Sequence, residues 1–200
     1  MEQVRSFIAI ELPDELKAWL NQLQIRLKSG KPFGVKWVNP YGVHLTLKFL
    51  GDVAVDKMGG ITTVVEEAAR GVSSFHLEVG ELGAFPNLRR AQVVWVGLTG
   101  EADKLAQLQK RLDSALAPLG FVTESRSFTP HLTLARLRGG VSLDDRQKFG
   151  QLIAGTVFDA GCTFEIDAIS LMRSQLTREG AVYSRLCSRG LEKPLSTATG

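Results

Sequence analysis

Cysteine, tryptophan and tyrosine are scarce in this 200-residue chain, with 2, 3 and 2 copies. Each shortage excludes something. Cys162 and Cys187, without C-x-x-C spacing, supply neither a disulfide framework nor a zinc site, so they read as reduced residues of a cytosolic protein. The apolar stretch after Arg5 ends at the acid Glu11, too short for a secretory signal and far short of the ~20 residues of a spanning helix. A cytoplasmic location without membrane association is expected. There is no G-x-x-x-x-G-K-[ST], no helix-opening G-x-G-x-x-G and no G-x-S-x-G elbow, which removes support for triphosphate hydrolysis, dinucleotide redox chemistry and serine hydrolysis. Blocks of like charge are also missing. Residues 1–100 carry 11 basic and 10 acidic groups, residues 101–200 carry 13 and 11, and the net charge is +3. This permits an anionic partner without a nucleic-acid-binding tail.

What is present is an ordinary globular composition, 44% hydrophobic and 22% charged, with periodic segments in a repeated order. Residues 5–12 make a strand. Leu16, Leu20, Leu23 and Leu27 then fall at helical spacing between Pro13 and Gly30. The motif 42–51 is a strand, a weaker helix covers 55–70 with Gly59 and Gly60 in its first turn, and 74–79 alternates as a strand with a wet face bearing His76. The second half follows suit. A strand over 91–98, a helix with Leu105, Leu108, Leu112 and Leu116 on one side, and a strand over 128–137 come in order. A helix capped by Ser142 runs to about 154, and strands over 162–172 and 181–188 close the chain.

The tetrapeptide H-L-T-L occurs at His44 and again at His131, 87 residues on, inside this matched order of elements. The chain therefore reads as a duplicated α/β unit with two pseudo-twofold-related lobes. Alternation along a strand puts His44, Thr46 and Lys48 on one face and Leu45, Leu47 and Phe49 on the other, where helices can cover them. His131 and Thr133 likewise share a face. Two imidazoles meeting across a cleft suit displacement at phosphorus, one taking a proton while the other gives one, and threonine hydroxyls can hold the phosphate oxygens. His76 has no threonine partner and reads as a surface residue. No second His or Cys stands at ligand spacing, so no metal or cofactor is expected.

At these residues the sequence resembles the two-histidine phosphoesterases, and most closely the LigT-like RNA 2′,3′-cyclic phosphodiesterases, also known as 2′-5′ RNA ligases. The resemblance rests on H-L-T-L-K-F-L-G at 44–51 and F-T-P-H-L-T-L-A-R at 128–136, with R-S-F-I-A-I, L-G-A-F-P-N and the late segment 169–183. It implies an α+β bilobal fold, with antiparallel-rich sheets covered by helices and the site in the cleft between them. It also implies metal-independent hydrolysis of a terminal 2′,3′-cyclic phosphate on RNA to a 2′-phosphate, with 2′-5′ joining as a possible reverse reaction. Carried over, His44 is the proton donor, His131 the acceptor, and Thr46 and Thr133 hold the phosphate. Pseudo-symmetry leaves the donor and acceptor labels exchangeable.

Three further residues are candidates. Arg136, five after His131 as in the family's second motif, suits a phosphate contact, although strict alternation puts it on the wrong face unless the strand bulges. Lys48 is a candidate phosphate contact on the histidine face. Phe85, expected in a loop, is a candidate for stacking on a base. One bilobal domain over 1–190 and a tail over 191–200 are expected, as a monomer. The same chemistry on a small cyclic nucleotide or an ADP-ribose cyclic phosphate is one alternative. A non-catalytic RNA-binding protein is another, disfavoured by two intact H-x-T motifs.

Overall fold

Nine strands and four α-helices follow one another in a computed structural model that describes residues 2–158, 160–178 and 180–193. Strand β1 (Gln3–Glu11) leads into α1 (Asp14–Ser29), which starts after Pro13 with Asp14 and Glu15 in its first turn and ends with Arg26 and Lys28 in its last. Those charges complement the helix dipole at both ends. Strands β2 (Val35–Trp37) and β3 (His44–Ala54) precede α2 (Met58–Ala69), whose buried Ile61, Val64, Val65 and Ala68 outweigh the two glycines of its first turn. Next come β4 (Phe75–Phe85), β5 (Val93–Gly100), α3 (Ala102–Leu116) and β6 (His131–Leu137). Helix α4 (Leu143–Gly155) starts at Ser142, whose Oγ accepts from the Asp145 amide, and β7 (Thr163–Ile166), β8 (Ala168–Leu176) and β9 (Ala181–Gly190) complete the set.

All strand pairings are antiparallel, and they form two sheets of order β3-β1-β8-β9 and β2-β6-β5-β4-β7. Setting β1 on β5 and β3 on β6 makes the sheets copies of one another, with β2 added at an edge. The lobes are not the two halves of the chain, however. Strand β4, from the first half, lies in the second sheet, while β8 and β9, from the second half, lie in the first. The helices exchange too. Helix α1 packs toward the second sheet, where Gln24 Nε2 donates to Leu134 O on β6, and α3 packs toward the first, where Asp113 accepts from Lys48 on β3. One apolar cluster consequently runs through both lobes, including Ile8, Leu45, Leu132 and Leu171.

Three expectations are corrected. The single strand over 162–172 is two strands in different sheets, because the apolar alternation of Phe164 and Ile166 changes phase to Ile169 and Leu171 across Asp167. Strand β4 continues to Phe85, so Phe85 is a strand residue and not part of a loop. The connection before His44 contains β2, too short to leave a periodic signal. His76 is exposed on β4, as expected. Of the tail, Leu191 and Glu192 hydrogen-bond to Asp167 and Val72, and 194–200 lie outside the described residues. Among the described residues no helix is long and apolar enough to cross a membrane.

Candidate active site

The H-x-T strands β3 and β6, one from each sheet, lie against each other where the two lobes meet. Each histidine begins its strand. Each anchors Nδ1 on a backbone carbonyl two residues upstream: His44 on Gly42 O at 2.9 Å and His131 on Thr129 O at 2.7 Å. A carbonyl can only accept, so Nδ1 carries hydrogen in both rings and Nε2 is the atom left to gain or lose a proton. Burial is the first cause holding both imidazoles below their ordinary pKa, opposed in each by that carbonyl.

The strand register decides which side chains accompany the histidines. In β3, Ala9 pairs with Thr46 and Ile8 with Lys48, so Leu47 is an extra residue; in β6, Trp95 pairs with Thr133 and Val94 with Ala135, so Leu134 is the extra one. Such bulges reverse the alternation beyond them. Thr46 and Thr133, before the bulge, share the histidine face. Beyond it, Lys48 turns to the helix-covered side, where its ammonium meets the Asp113 carboxylate and Val122 O with its side chain 10% exposed. The expectation that Lys48 shares the histidine face is therefore overturned. The same reversal brings Phe49 to the histidine face, 70% exposed with its ring 6.3 Å from Phe7. A second extra residue, Leu50, follows, and Gly51 takes φ 74° there, which suits glycine. In β6 the bulge brings exposed Arg136 to the histidine side, and its charge is felt at His131, lowering that ring's proton affinity further.

The surroundings of the two imidazoles differ. The His44 ring stacks on buried Phe7 at 4.6 Å and meets Tyr183 edge-on at 4.8 Å. Opposite it in register stands Glu11, whose Oε2 accepts from Ser170 Oγ at 2.9 Å and Arg185 Nε at 2.6 Å. Those two donors hold the Glu11 carboxyl below its usual range despite burial, and its charge favours the His44 imidazolium. Opposite His131 stands Gly97 instead. The Trp95 indole occupies that space: a Cβ on Gly97 would lie 3.2 Å from the ring and one on Gly83 2.3 Å from it. Phe85 meets His131 edge-on at 5.0 Å and Trp95 at 5.1 Å. Glu11, Phe7, Phe49, Tyr183 and Trp95 were absent from the sequence's candidates, because cross-strand partners have no local signal.

A cavity of about 240 Å³ opens beside His44, lined by Arg5, Phe7, Phe49, Ser174, Leu176 and Tyr183 among others. A larger hollow of about 510 Å³ lies between Glu11, the start of α1 and β7, and neither His44 nor His131 lines it. Among the described residues no three His, Cys, Asp or Glu side chains gather as a metal-ligand set.

Known proteins are similar to this chain over most of its length. The family described as LigT like Phosphoesterase matches twice, over residues 10–95 and 96–183, one match to each half. An RNA 2′,3′-cyclic phosphodiesterase of Methanothermobacter thermautotrophicus is 35% identical over 91% of this chain and 96% of its own length. One of Aeropyrum pernix is 34% identical over 76% and 84%. A Thermus thermophilus crystal structure superposes with TM-score 0.77 at 27% identity, covering 94% of this chain and 98% of its own. The crystal structure of E. coli LigT complexed with 3′-AMP superposes with TM-score 0.71 at 26% identity, covering 95% and 99%.

Proposed function

This chain belongs to the LigT-like phosphoesterase family, and from that premise we propose that it hydrolyses the 2′,3′-cyclic phosphate at an RNA end to a 2′-phosphomonoester. The observation that carries this reading is the matched pair of imidazoles, each with Nδ1 fixed on a carbonyl and Nε2 free for proton transfer, on strands that meet between the lobes. In the proposed reaction water attacks phosphorus and gives its proton to His131 Nε2. The P–O3′ bond breaks, and His44 Nε2–H protonates the departing 3′ oxygen. Thr46 and Thr133 donate hydrogen bonds to the non-bridging oxygens, and the Arg136 guanidinium balances the charge that builds there.

The surroundings of the rings favour these roles over the exchanged ones. An acid must hold a proton until the leaving group needs it, and Glu11 supports the cation at His44. A base must be neutral at the start, and Arg136 disfavours the cation at His131. Phe85 and Trp95 steady the His131 ring. With an RNA 5′-hydroxyl in place of water, the same steps would join two strands through a 2′-5′ linkage. Such work is proposed to be done by a single bilobal domain over residues 1–190, acting as a cytoplasmic monomer.

The test is incubation of the purified chain with a short RNA ending in a 2′,3′-cyclic phosphate, in EDTA. A product with phosphate on O2′ is expected. Phosphate on O3′ overturns the direction of attack, and no turnover by folded protein overturns the substrate.

A further inference from the structure

Residues from four strands stand in one row across the second sheet: Phe85 of β4 pairs with Val93 of β5, Val93 with Arg136 of β6, and Arg136 with Lys36 of β2. We propose that Lys36 binds the first backbone phosphate of a second RNA strand, the one whose 5′-hydroxyl replaces water, and so continues a cationic track that Arg136 begins at the reacting phosphate. This inference rests on the proposed reaction and adds where its second substrate lies. The group that takes the attacker's proton must sit beside the attacking oxygen. With His131 as the base, the attacking strand enters over the second sheet, while the ribose that keeps the phosphate lies toward His44. The bond formed is P–O5′ and the bond broken is P–O3′; His131 Nε2 takes the hydroxyl proton, and His44 Nε2–H supplies the proton for O3′.

The row borders the site. Residues opposite one another on paired strands share a face, and Phe85, at the far end of the row, reaches His131 edge-on at 5.0 Å. Val35 and Trp37, on either side of Lys36, pack on the apolar core, which leaves Lys36 on the histidine side. Lys36 and Arg136 are both exposed, and among the described residues neither joins an ion pair. Like charges directly opposite on neighbouring strands repel and destabilise a sheet. A polyanion laid across them replaces that repulsion with attraction. The spacing suits an RNA backbone, since neighbouring strands lie about 4.8 Å apart and two long side chains on them can reach successive phosphates. Strand β2 is also the element that the first sheet lacks, β3 being itself an edge there. The added strand thus brings its cation only to the side where the attacker enters. Phosphate contacts carry no base information, so the track takes a strand of any sequence.

The experiment offers a donor RNA ending in a 2′,3′-cyclic phosphate two acceptors at equal concentration, in separate reactions: a 5′-hydroxyl RNA trinucleotide, and a nucleoside, which has the hydroxyl but no phosphate. Joined product is measured against hydrolysed product. The wild-type chain is expected to join the trinucleotide about fivefold more than the nucleoside, the order of one exposed ion pair. Lys36→Met should remove that preference, and Lys36→Arg should retain it. The trinucleotide's KM should rise with salt in the wild-type chain, and the log–log slope should be about 0.7 lower in Lys36→Met, because one phosphate fewer is neutralised. Removing one of two opposed cations relieves repulsion, so Tm should not fall, which thermal unfolding checks. Equal use of both acceptors by the wild-type chain, a preference that survives in Lys36→Met, or hydrolysis without joining overturns the track and leaves the reaction standing. A fall in hydrolysis as large as the fall in joining gives Lys36 to the cyclic-phosphate strand and likewise overturns the track. Neither hydrolysis nor joining by the wild-type chain overturns the reaction and the track together.

Discussion

The two lobes are built alike and equipped differently. Each places a histidine at the start of its strand, anchors Nδ1 on the carbonyl two residues back, and inserts one extra leucine three residues later. Each also braces that strand with one buried polar residue from a helix that crosses from the other lobe. Gln24 of α1 serves β6 and Asp113 of α3 serves β3, at matched places 89 residues apart in the two leucine-lined helices. The shared features make the pair of proton carriers that the proposed reaction needs. The differences give them direction: Glu11 against Gly97 opposite the rings, Phe49 against Arg136 beyond the bulges, and Lys48 against Ala135 under the helices. In the proposed reaction, the duplicated scaffold supplies the two proton-transfer groups, and the departures from its symmetry set which way the reaction runs.

The largest effects should come from what is shared. His44→Ala and His131→Ala are each expected to lower kcat by roughly 10²-fold or more on a cyclic-phosphate RNA, with little change in binding. The double variant should be no worse than the product of the two, and less than that product if the pair works as one unit. Wild-type turnover by either single variant, measured in the same single-turnover assay, sinks the shared site. A smaller loss is expected at Arg136, which has no counterpart. Arg136→Gln should cost about tenfold in kcat/KM, mostly in kcat, because the proposed charge-assisted contact to the phosphate is removed. Lys in its place should recover only part, since it lacks the guanidinium fork.

The shared features were the legible ones. H-L-T-L appears twice in the sequence, leucine spacing marks α1 and α3, and Ser142 with Asp145 marks the start of α4, because each is a local pattern imposed by one element's own geometry. The differences were not. Whether Lys48 or Phe49 faces the site depends on one extra residue opposite Ile8 and Ala9, and strict alternation along 44–51 gives the wrong answer for both. The same bulge in β6 is what Arg136 requires. Glu11 stands 33 positions from His44 and becomes its neighbour only through strand pairing. The exchange of β4 with β8 and β9 is equally invisible, except for the change of phase at Asp167.

Lys48 tests whether an element of asymmetry belongs to the fold and not to the site. Its ammonium is enclosed between Asp113 and Val122 O, whereas Ala135 needs no partner. Lys48→Met should leave kcat within about twofold while removing a charge-assisted bond worth about 2 kcal/mol, a fall in Tm of about 4–8 °C. A large loss of kcat at unchanged Tm would return Lys48 to the phosphate site.

Glu11 tests the direction itself. In a bell-shaped kcat/KM profile the acid must be protonated, so its deprotonation draws the alkaline limb, and the base must be neutral, so its protonation draws the acidic limb. Burial lowers both imidazoles, which puts the optimum on the acid side of their ordinary value of 6.5. The Glu11 charge acts on His44 and raises its proton affinity. Removing that charge in Glu11→Gln, which keeps an oxygen for Ser170 and Arg185, should therefore lower the His44 pKa and move the alkaline limb to lower pH. The acidic limb should stay where it is. Arg136→Gln should do the complementary thing, since losing a neighbouring cation raises the His131 pKa and moves the acidic limb to higher pH. If Glu11→Gln moves the acidic limb instead, the two histidines exchange roles, and the leaving oxygen and its nucleoside move to the Arg136 side of the cleft.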